Sequence, residues 1–122
     1  MAAIITHSGA GKGAAGEELA ARYLQQQGLR VLQRNFRVRG GEIDIICRDA
    51  ATLVFVEVRC RSRSDFGAAA ETIGVAKQRR ITLAARHWLA RHGEAPCRFD
   101  CVVIDGGRLQ WLRDAFTAGD IE

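Results

Sequence analysis

Two stretches of the chain repeat hydrophobic residues at the spacing of an amphipathic helix. They cover residues 14–27, followed by Gly28, and residues 71–92, followed by Gly93. The apolar face of the first is formed by Leu19, Ala20, Tyr23 and Leu24, and that of the second by Ile81, Ala84, Ala85, Trp88 and Leu89. A glycine directly after such a pattern is typical of a helix end, so two helices are predicted.

Five other stretches are rich in β-branched and apolar residues and are predicted to be strands. They cover residues 29–36, 42–48, 53–61, 99–104 and 108–112. Asp105-Gly106-Gly107 between the last two favours a hairpin turn. The resulting order, α-β-β-β-α-β-β, predicts a mixed α/β domain with helices flanking the sheet.

The composition indicates one ordinary globular domain. With 48% hydrophobic and 26% charged residues, the 122 residues are enough for a single core. We expect residues 1–122 to form one domain, with residues 1–12 and 117–122 flexible. The chain has no apolar run of membrane-spanning length and no signal-peptide pattern at its start. A cytoplasmic protein that does not contact membranes is therefore expected.

The four cysteines are expected to be reduced thiols. They are Cys47, Cys60, Cys97 and Cys101. Their spacing, and that of the histidines, does not match a zinc site. We interpret them as small buried hydrophobic residues.

Two acids interrupt the strands that should build the core, Asp44 in the second and Glu57 in the third. If these strands pair symmetrically through the turn at residues 49–52, Asp44 lies directly opposite Glu57, and Glu42 opposite Arg59. The other face of the hairpin is then apolar, with the pairs Ile43–Val58, Ile45–Val56 and Cys47–Val54. Directly opposed side chains have Cβ atoms about 4.5–5.5 Å apart, a distance at which two carboxylates repel each other.

A divalent cation would compensate this repulsion. Mg²⁺ or Mn²⁺ prefers oxygen ligands, and two converging carboxylates supply half of a site, which water and phosphate oxygens can complete. A second interpretation needs no metal: Glu42 forms an ion pair with Arg59, and Asp44 caps a turn or binds an arginine. A register shift of one residue would separate the two acids altogether.

The two predicted helices each add one charged candidate. Glu18 points away from the apolar face of the first helix, whereas Glu17 lies at its boundary and can reach along the sheet toward the strand acids. Alternatively, Glu17 is an ordinary acid at a helix start. Lys77 falls within the apolar stripe of the second helix, so it either faces the acids or extends its amine to solvent.

The basic residues favour a polyanionic partner. The net charge is +4, and all but two of the 18 basic residues are arginines. We predict that the segment 59–63, together with Arg79, Arg80 and Arg86, flanks the acids and holds a phosphodiester backbone. The candidate nucleic-acid-binding residues are Arg61, Arg63, Arg79 and Arg80. Phe55, Trp88 and Phe99 occupy core-like positions, which leaves no aromatic platform for single strands. Duplex or branched DNA, bound through its backbone and shape, is the partner this pattern favours.

Several short motifs over residues 13–104 resemble those of a known group of proteins. They are Gly13-x-x-Gly16-Glu17-x-x-Ala20, Gly41-Glu42-Ile43-Asp44, Val54-Phe55-Val56-Glu57-Val58, Phe66-Gly67, Lys77 and Arg98-Phe99-Asp100. Asp44 followed by Glu57-Val58-Arg59 resembles the D…(D/E)-x-K signature of restriction-endonuclease-like nucleases. Glu17 resembles the helix acid of archaeal Holliday-junction resolvases. The whole set resembles the small bacterial YraN-like family of predicted nucleases.

The resemblance implies a restriction-endonuclease-like αβββαβ core and a Mg²⁺-dependent or Mn²⁺-dependent endonuclease that acts on DNA, including branched or junction DNA. It implies that Asp44, Glu57 and the backbone carbonyl of Val58 bind the metal, and that Glu17 holds a metal-bound water. Arg59 and Lys77 complete the candidate catalytic residues. Junction cleavage would need two symmetric sites, which a homodimer would provide.

The chain departs from the nuclease signature at Arg59, where the motif has lysine. An arginine stays protonated and cannot act as a base, but it can clamp a phosphate through two parallel hydrogen bonds. Lys77 is a candidate substitute. Two further alternatives follow from this departure: a non-catalytic nucleic-acid-binding domain that retains the nuclease fold, and a protein-interaction module.

Overall fold

The computed structural model of the chain describes residues 12–61 and 73–118. Its two helices and five strands follow the predicted order α-β-β-β-α-β-β, which confirms the mixed α/β fold class. They are α1 (Lys12–Gln26), β1 (Arg30–Val38), β2 (Gly41–Asp49), β3 (Thr52–Arg61), α2 (Val75–His92), β4 (Cys97–Asp105) and β5 (Arg108–Phe116). No helix in these ranges is long and apolar enough to cross a membrane.

The strands form one mixed sheet in the order β1-β2-β3-β4-β5. The pairs β1–β2, β2–β3 and β4–β5 are antiparallel, whereas β3 and β4 are parallel. A parallel pair needs a long crossover connection, and α2 lies within it.

The last hairpin extends further than the sequence pattern predicts. β5 continues past Leu112 to Phe116, which pairs with Phe99 across a register shift in β4. The two rings stack with centroids 4.7 Å apart. This aromatic contact explains why the strand continues. The sequence pattern does not reveal it, because polar residues lie between Leu112 and Phe116. Ala118, in the predicted flexible end, packs against the core.

The core has two layers, one on each face of the sheet. The layer beneath α2 is aromatic and contains Phe55, Trp88 and Phe99, as the sequence predicted. The layer beneath α1 is aliphatic, with Leu24 packed against strand residues such as Val54 and Val102.

All four cysteines lie within the described residues, and none of them forms a disulfide there. Cys47 and Cys101 are buried as predicted, but the prediction of burial is wrong for Cys60 and Cys97. Cys60 is the penultimate residue of β3 and Cys97 is the first of β4, so both lie at strand ends.

Two glycines let the helices approach the sheet closely. A Cβ at Gly16 in α1 would collide with Cys60 Sγ, and a Cβ at Gly41 in β2 would lie 2.5 Å from the carbonyl oxygen of Arg80 in α2. Real Cβ atoms essentially never come this close to another heavy atom, so neither position accommodates a side chain without a shift. The consequence is that the N-terminal part of each helix lies against the same end of the sheet.

Candidate functional site

The predicted register of the β2–β3 hairpin is confirmed up to Ile45. Ile45 pairs with Val56, Cys47 with Val54, and Asp49 with Thr52. The regular ladder does not continue to the next predicted pair, Asp44 with Glu57.

Where the ladder stops, the Asp44 side chain replaces a backbone partner of β3. The backbone N–H of Val58 donates a 2.8 Å hydrogen bond to Oδ2 of Asp44. Glu57 remains in the sheet through its parallel partner Cys101 on β4. The two acids are therefore not a backbone pair as predicted, but their carboxyl groups lie close enough for Asp44 to raise the pKa of Glu57.

The prediction for Ile43 is also wrong. The symmetric register puts it on one face with Val58 and Ile45, but Ile43 packs beneath α2, whereas Val58 and Ile45 pack beneath α1. The alternation of faces is broken between Ile43 and Ile45, and Asp44 lies at the break.

Glu17 joins Asp44 from the opposite side. The Glu17 carboxyl of α1 lies beside the side chains of Asp44, which raises its pKa, and of Asn35, which lowers it. Its neighbour Glu18 points elsewhere and forms ion pairs with Arg22 at 2.9 Å and Arg34 at 2.7 Å. The structure thus places Glu17 at the strand acids, while Glu18 is a surface residue.

Lys77 faces the acids from α2. Its Nζ lies 3.2 Å from Glu42 Oε2 and 3.7 Å from Glu57 Oε1. Glu42 also pairs with Arg80 at 3.1 Å. The cations that pair with Glu42 therefore come from α2, whereas the metal-free interpretation of the sequence proposed Arg59 as its partner. Arg59 lies close enough to Glu57 to lower its pKa, although by less than the effects that raise it.

The electrostatics of Glu57 are unusual for a carboxyl group. Burial, followed by the charge of Asp44, raises the pKa of Glu57 to about 8. The residue is only 8% exposed. Its Oε1 is buried without a hydrogen-bond partner, because Lys77 stands beyond hydrogen-bonding distance. Two ionised carboxylates this close repel each other, so neutralisation of one of them, by a proton or by a cation, favours their close approach.

The pKa of Glu17 is raised as well, by burial and by Asp44. Asp44 is thus the middle member of a chain of three carboxyls, with Glu17 on the α1 side and Glu57 on the α2 side. We call these three residues the acid cluster. They are not arranged around one point: within residues 12–61 and 73–118, no three acidic, histidine or cysteine side chains are placed to enclose a metal ion.

Two members of the acid cluster fit a hard cation. Asp44 and Glu57 carry adjoining oxygens, and Oε1 of Glu57 has no hydrogen-bond partner. The N–H and C=O of one strand residue point the same way. Since the Val58 N–H binds Asp44, we expect the Val58 carbonyl on the same side of β3. Two carboxylates and one carbonyl suit Mg²⁺ or Mn²⁺, which keep several waters in their coordination shell.

The predicted DNA-binding arginines are placed unevenly. Arg79 and Arg80 are exposed on α2, and Arg61 is half-buried at the end of β3. Arg63 lies outside the described residues, as does the Phe66-Gly67 motif.

Asn35 is a site residue that the sequence reasoning missed. It lies in β1, where it has a left-handed backbone with φ of 53°. The available signal was an asparagine, a residue depleted from strands, within an otherwise strand-like run.

Asp100 is a second polar residue without a sequence prediction, and its partners indicate a structural role. Its fully buried carboxylate accepts hydrogen bonds from the Arg98 guanidinium, the Trp111 indole and the backbone N–H of Asp114. The network joins β4 to the irregular part of β5. Since its hydrogen-bonding capacity is used within the fold, Asp100 is not a candidate ligand for a metal.

The family model for the uncharacterised protein family UPF0102 matches residues 16–104. The chain belongs to this family. The match confirms the resemblance to the YraN-like family, and its range contains the acid cluster and Lys77.

Individual relatives support the assignment along nearly the whole chain. A UPF0102 protein of Dechloromonas aromatica is 59% identical over 109 residues, which cover 89% of this chain and 91% of the relative. One of Ralstonia pickettii is 55% identical over 113 residues, covering 88% and 90%. One of Methylobacillus flagellatus is 51% identical over 105 residues, covering 84% and 93%.

Proposed function

We propose that this protein is a metal-dependent endonuclease that hydrolyses phosphodiester bonds in duplex or branched DNA. The observation that carries the proposal is the acid cluster. Buried, mutually repelling carboxyls are costly to a small protein, and Oε1 of Glu57 is buried with no hydrogen-bond partner. A site that binds a cation and a phosphate explains this cost. A purely structural role would be served better by complete pairing, as at Asp100.

Asp44, Glu57 and the Val58 carbonyl would hold Mg²⁺ or Mn²⁺. The bound ion would acidify a water and neutralise charge on the phosphate. Glu17 adjoins this position, and its raised pKa suits it to accept a proton from an attacking water. Lys77 and Arg59 place positive charge beside Glu57, where a phosphate in the site would need it.

A basic surface beside the acid cluster suits the DNA backbone. The β1–β2 turn carries Arg39, and its Gly40 lies against Leu83 of α2, one helical turn from Arg79. Arg37 lies across from Glu42 in the register, and Arg80 binds Glu42. We call Arg37, Arg39, Arg79 and Arg80 the basic surface. Arg37, Arg39 and Arg79 are exposed and form no ion pair with the rest of the described chain. Duplex or branched DNA, in the cytoplasm, is the polyanion we assign to it, and cleavage of a symmetric junction would require a homodimer.

End-labelled duplex, flap and four-way-junction DNA, each with Mg²⁺ or Mn²⁺, tests the activity. We expect wild-type protein to cut at least one substrate, and Asp44→Asn and Glu57→Gln to lose about two orders of magnitude or more in rate, since both carboxylates hold the ion. Glu94→Gln, at an exposed acid in the α2–β4 connection, is the matched control and should cut normally. No cleavage by wild type, or equal cleavage by Asp44→Asn, would overturn the proposal.

A non-catalytic DNA-binding domain is the second candidate, and Arg59 is the observation that favours it. A site that retains its acids but lacks the motif lysine can bind a phosphate without activating water. This alternative predicts DNA binding that is as tight in EDTA as in Mg²⁺, with no gain in melting temperature on adding Mn²⁺. An Mn²⁺-induced rise that disappears in Glu57→Gln would favour the enzyme.

A further inference from the structure

The side chains of β1 and β2 switch from one face of the sheet to the other at the same position along the paired strands. Arg34 reaches α1, where it binds Glu18, but Phe36, two residues later, packs beneath α2. In a regular strand these two side chains would share a face. Their register partners behave in the same way, since Ile45 packs beneath α1 and Ile43 beneath α2.

Asn35 is the residue at which this exchange occurs. Its φ of 53° lies in the left-handed region, which residues other than glycine rarely adopt and which asparagine tolerates better than most. The flanking pairs Arg34–Ile45 and Phe36–Ile43 place Asn35 directly across from Asp44. Asn35 is exposed, so burial of its side chain does not explain this backbone conformation. Backbone strain of this kind persists where the surrounding contacts require it.

The left-handed backbone at Asn35 has one evident effect: consecutive residues of β1 contact consecutive residues of α1. Arg34 binds Glu18 at 2.7 Å, and the Asn35 carboxamide lies close enough to Glu17 to lower its pKa. In a regular strand, neighbouring side chains point to opposite faces and could not both reach one helix. The Asn35 amide is a neutral donor, and it approaches Glu17 where Asp44 brings negative charge.

We propose that Asn35 is a positioning residue, whose left-handed backbone turns its carboxamide toward α1 and holds the Glu17 carboxylate beside Asp44. The placement itself does not depend on the proposed function. Its consequence for catalysis does rest on that function. A serine, alanine or valine in place of Asn35 would lose either a donor long enough to approach Glu17 or the left-handed backbone conformation. Asp and Gly are the informative replacements, because both tolerate a positive φ.

The test exchanges donor and acceptor across the contact. Asn35→Asp replaces the donor by a carboxylate, and Glu17→Gln supplies a donor on the opposite side. We measure melting temperatures of the wild type, both single variants and the double variant in EDTA at pH 7. Asn35→Asp should lower the melting temperature by several degrees in the wild-type background, and by clearly less in the Glu17→Gln background. An equal shift in the two backgrounds would overturn the proposal.

Asn35→Gly provides the second arm, and it decides the question if Asn35→Asp does not fold. It keeps the backbone conformation and removes only the carboxamide, so it too should cost more in the wild-type background than in the Glu17→Gln background. In the nuclease assay, Asn35→Gly should lower kcat about tenfold or more with little change in KM, because Glu17 is displaced while the basic surface is intact. A normal kcat in a cutting wild-type background would refute the catalytic consequence. If wild type cuts nothing, the proposed function fails, and the EDTA cycle still decides the role of Asn35.

Discussion

Among the residues that the structure describes, Glu57 departs furthest from the ordinary chemistry of its side chain. One of its carboxyl oxygens is buried without a hydrogen bond, a second carboxyl adjoins it, and the nearby lysine stands just beyond hydrogen-bonding distance, so the ionised form of Glu57 is disfavoured. Lys77 does not resolve the problem, since its closer partner is Glu42. At the scale of single residues, a proton or the proposed cation would relieve this repulsion.

This arrangement predicts how stability depends on pH in the absence of metal. The pKa of folded Glu57 is about 8, above its ordinary value of 4.5, so folding favours the protonated form. The contribution of Glu57 to stability is complete below about pH 4.5 and is lost as the pH rises through 8. Glu57→Gln, which keeps the shape without the charge, should stabilise the protein at pH 8 by on the order of 1 kcal/mol or more.

Urea unfolding in EDTA at pH 5, 6.5 and 8 measures this effect. The difference between Glu57→Gln and wild type should grow with pH, whereas Glu94→Gln should track wild type throughout. A pH-independent difference would mean that Glu57 is ionised in the fold and already neutralised. With saturating Mn²⁺ the order should reverse at pH 8, because only wild type retains both carboxylates for the ion.

At the scale of elements, each helix depends on one glycine for its distance from the sheet, and α1 allows this to be tested. Gly16→Ala introduces a Cβ that meets the Sγ of Cys60. Alanine is intrinsically better in a helix by about 0.5–1 kcal/mol, but overpacking costs about 1–3 kcal/mol. We expect a net destabilisation, together with displacement of Glu17 from Asp44.

Cys60→Ala removes the obstructing sulfur and provides the control. The double variant Gly16→Ala/Cys60→Ala should recover most of the stability, as measured by urea unfolding against Cys60→Ala alone. At Gly41 no such rescue is available, because the nearest atom is the backbone oxygen of Arg80. If the double variant is no more stable than Gly16→Ala, the close approach of α1 at Cys60 is not what requires the glycine.

The helices and strands differ in how far they could be inferred from the sequence. The element order and the β2–β3 register followed from apolar spacing and a short turn, because both are local. The end of that ladder did not, since Asp44 captures a backbone N–H that pattern reasoning assigns to a strand partner. The pairing of Glu42 with Lys77 and Arg80 was also not foreseeable, as it depends on how α2 docks 35 or more residues later.

The candidate site shows the same division between local and long-range information. Glu17, Asp44, Glu57 and Lys77 were proposed from helix boundary, strand register and family motifs, and the structure brings all four together. Asn35 was missed because its significance lies in a backbone angle. Asn35 is compatible with a strand by position alone, and only its left-handed φ shows that the strand changes face there.

For the whole molecule, the end that carries the acid cluster also carries the basic surface, and this juxtaposition predicts where DNA binds. Arg39→Ala/Arg79→Ala removes two exposed cations that have no ion pair with the described residues. Each lost phosphate contact should reduce the slope of log affinity against log salt by about 1. The double variant should therefore bind duplex DNA more weakly, with a slope smaller by up to about 2.

Arg30→Ala/Arg48→Ala is the matched control, because these two arginines pair in the register at the opposite end of the β1–β2 hairpin. Fluorescence anisotropy in EDTA between about 50 and 200 mM salt gives both slopes without cleavage, over a range where phosphate-bound proteins lose affinity steeply. Both variants remove the same net charge, so a general loss of basicity would lower the two slopes equally. A smaller slope for Arg39→Ala/Arg79→Ala alone places the DNA over the acid cluster, where the nuclease proposal requires it. Equal slopes would separate DNA binding from the acid cluster and remove this support for the proposal.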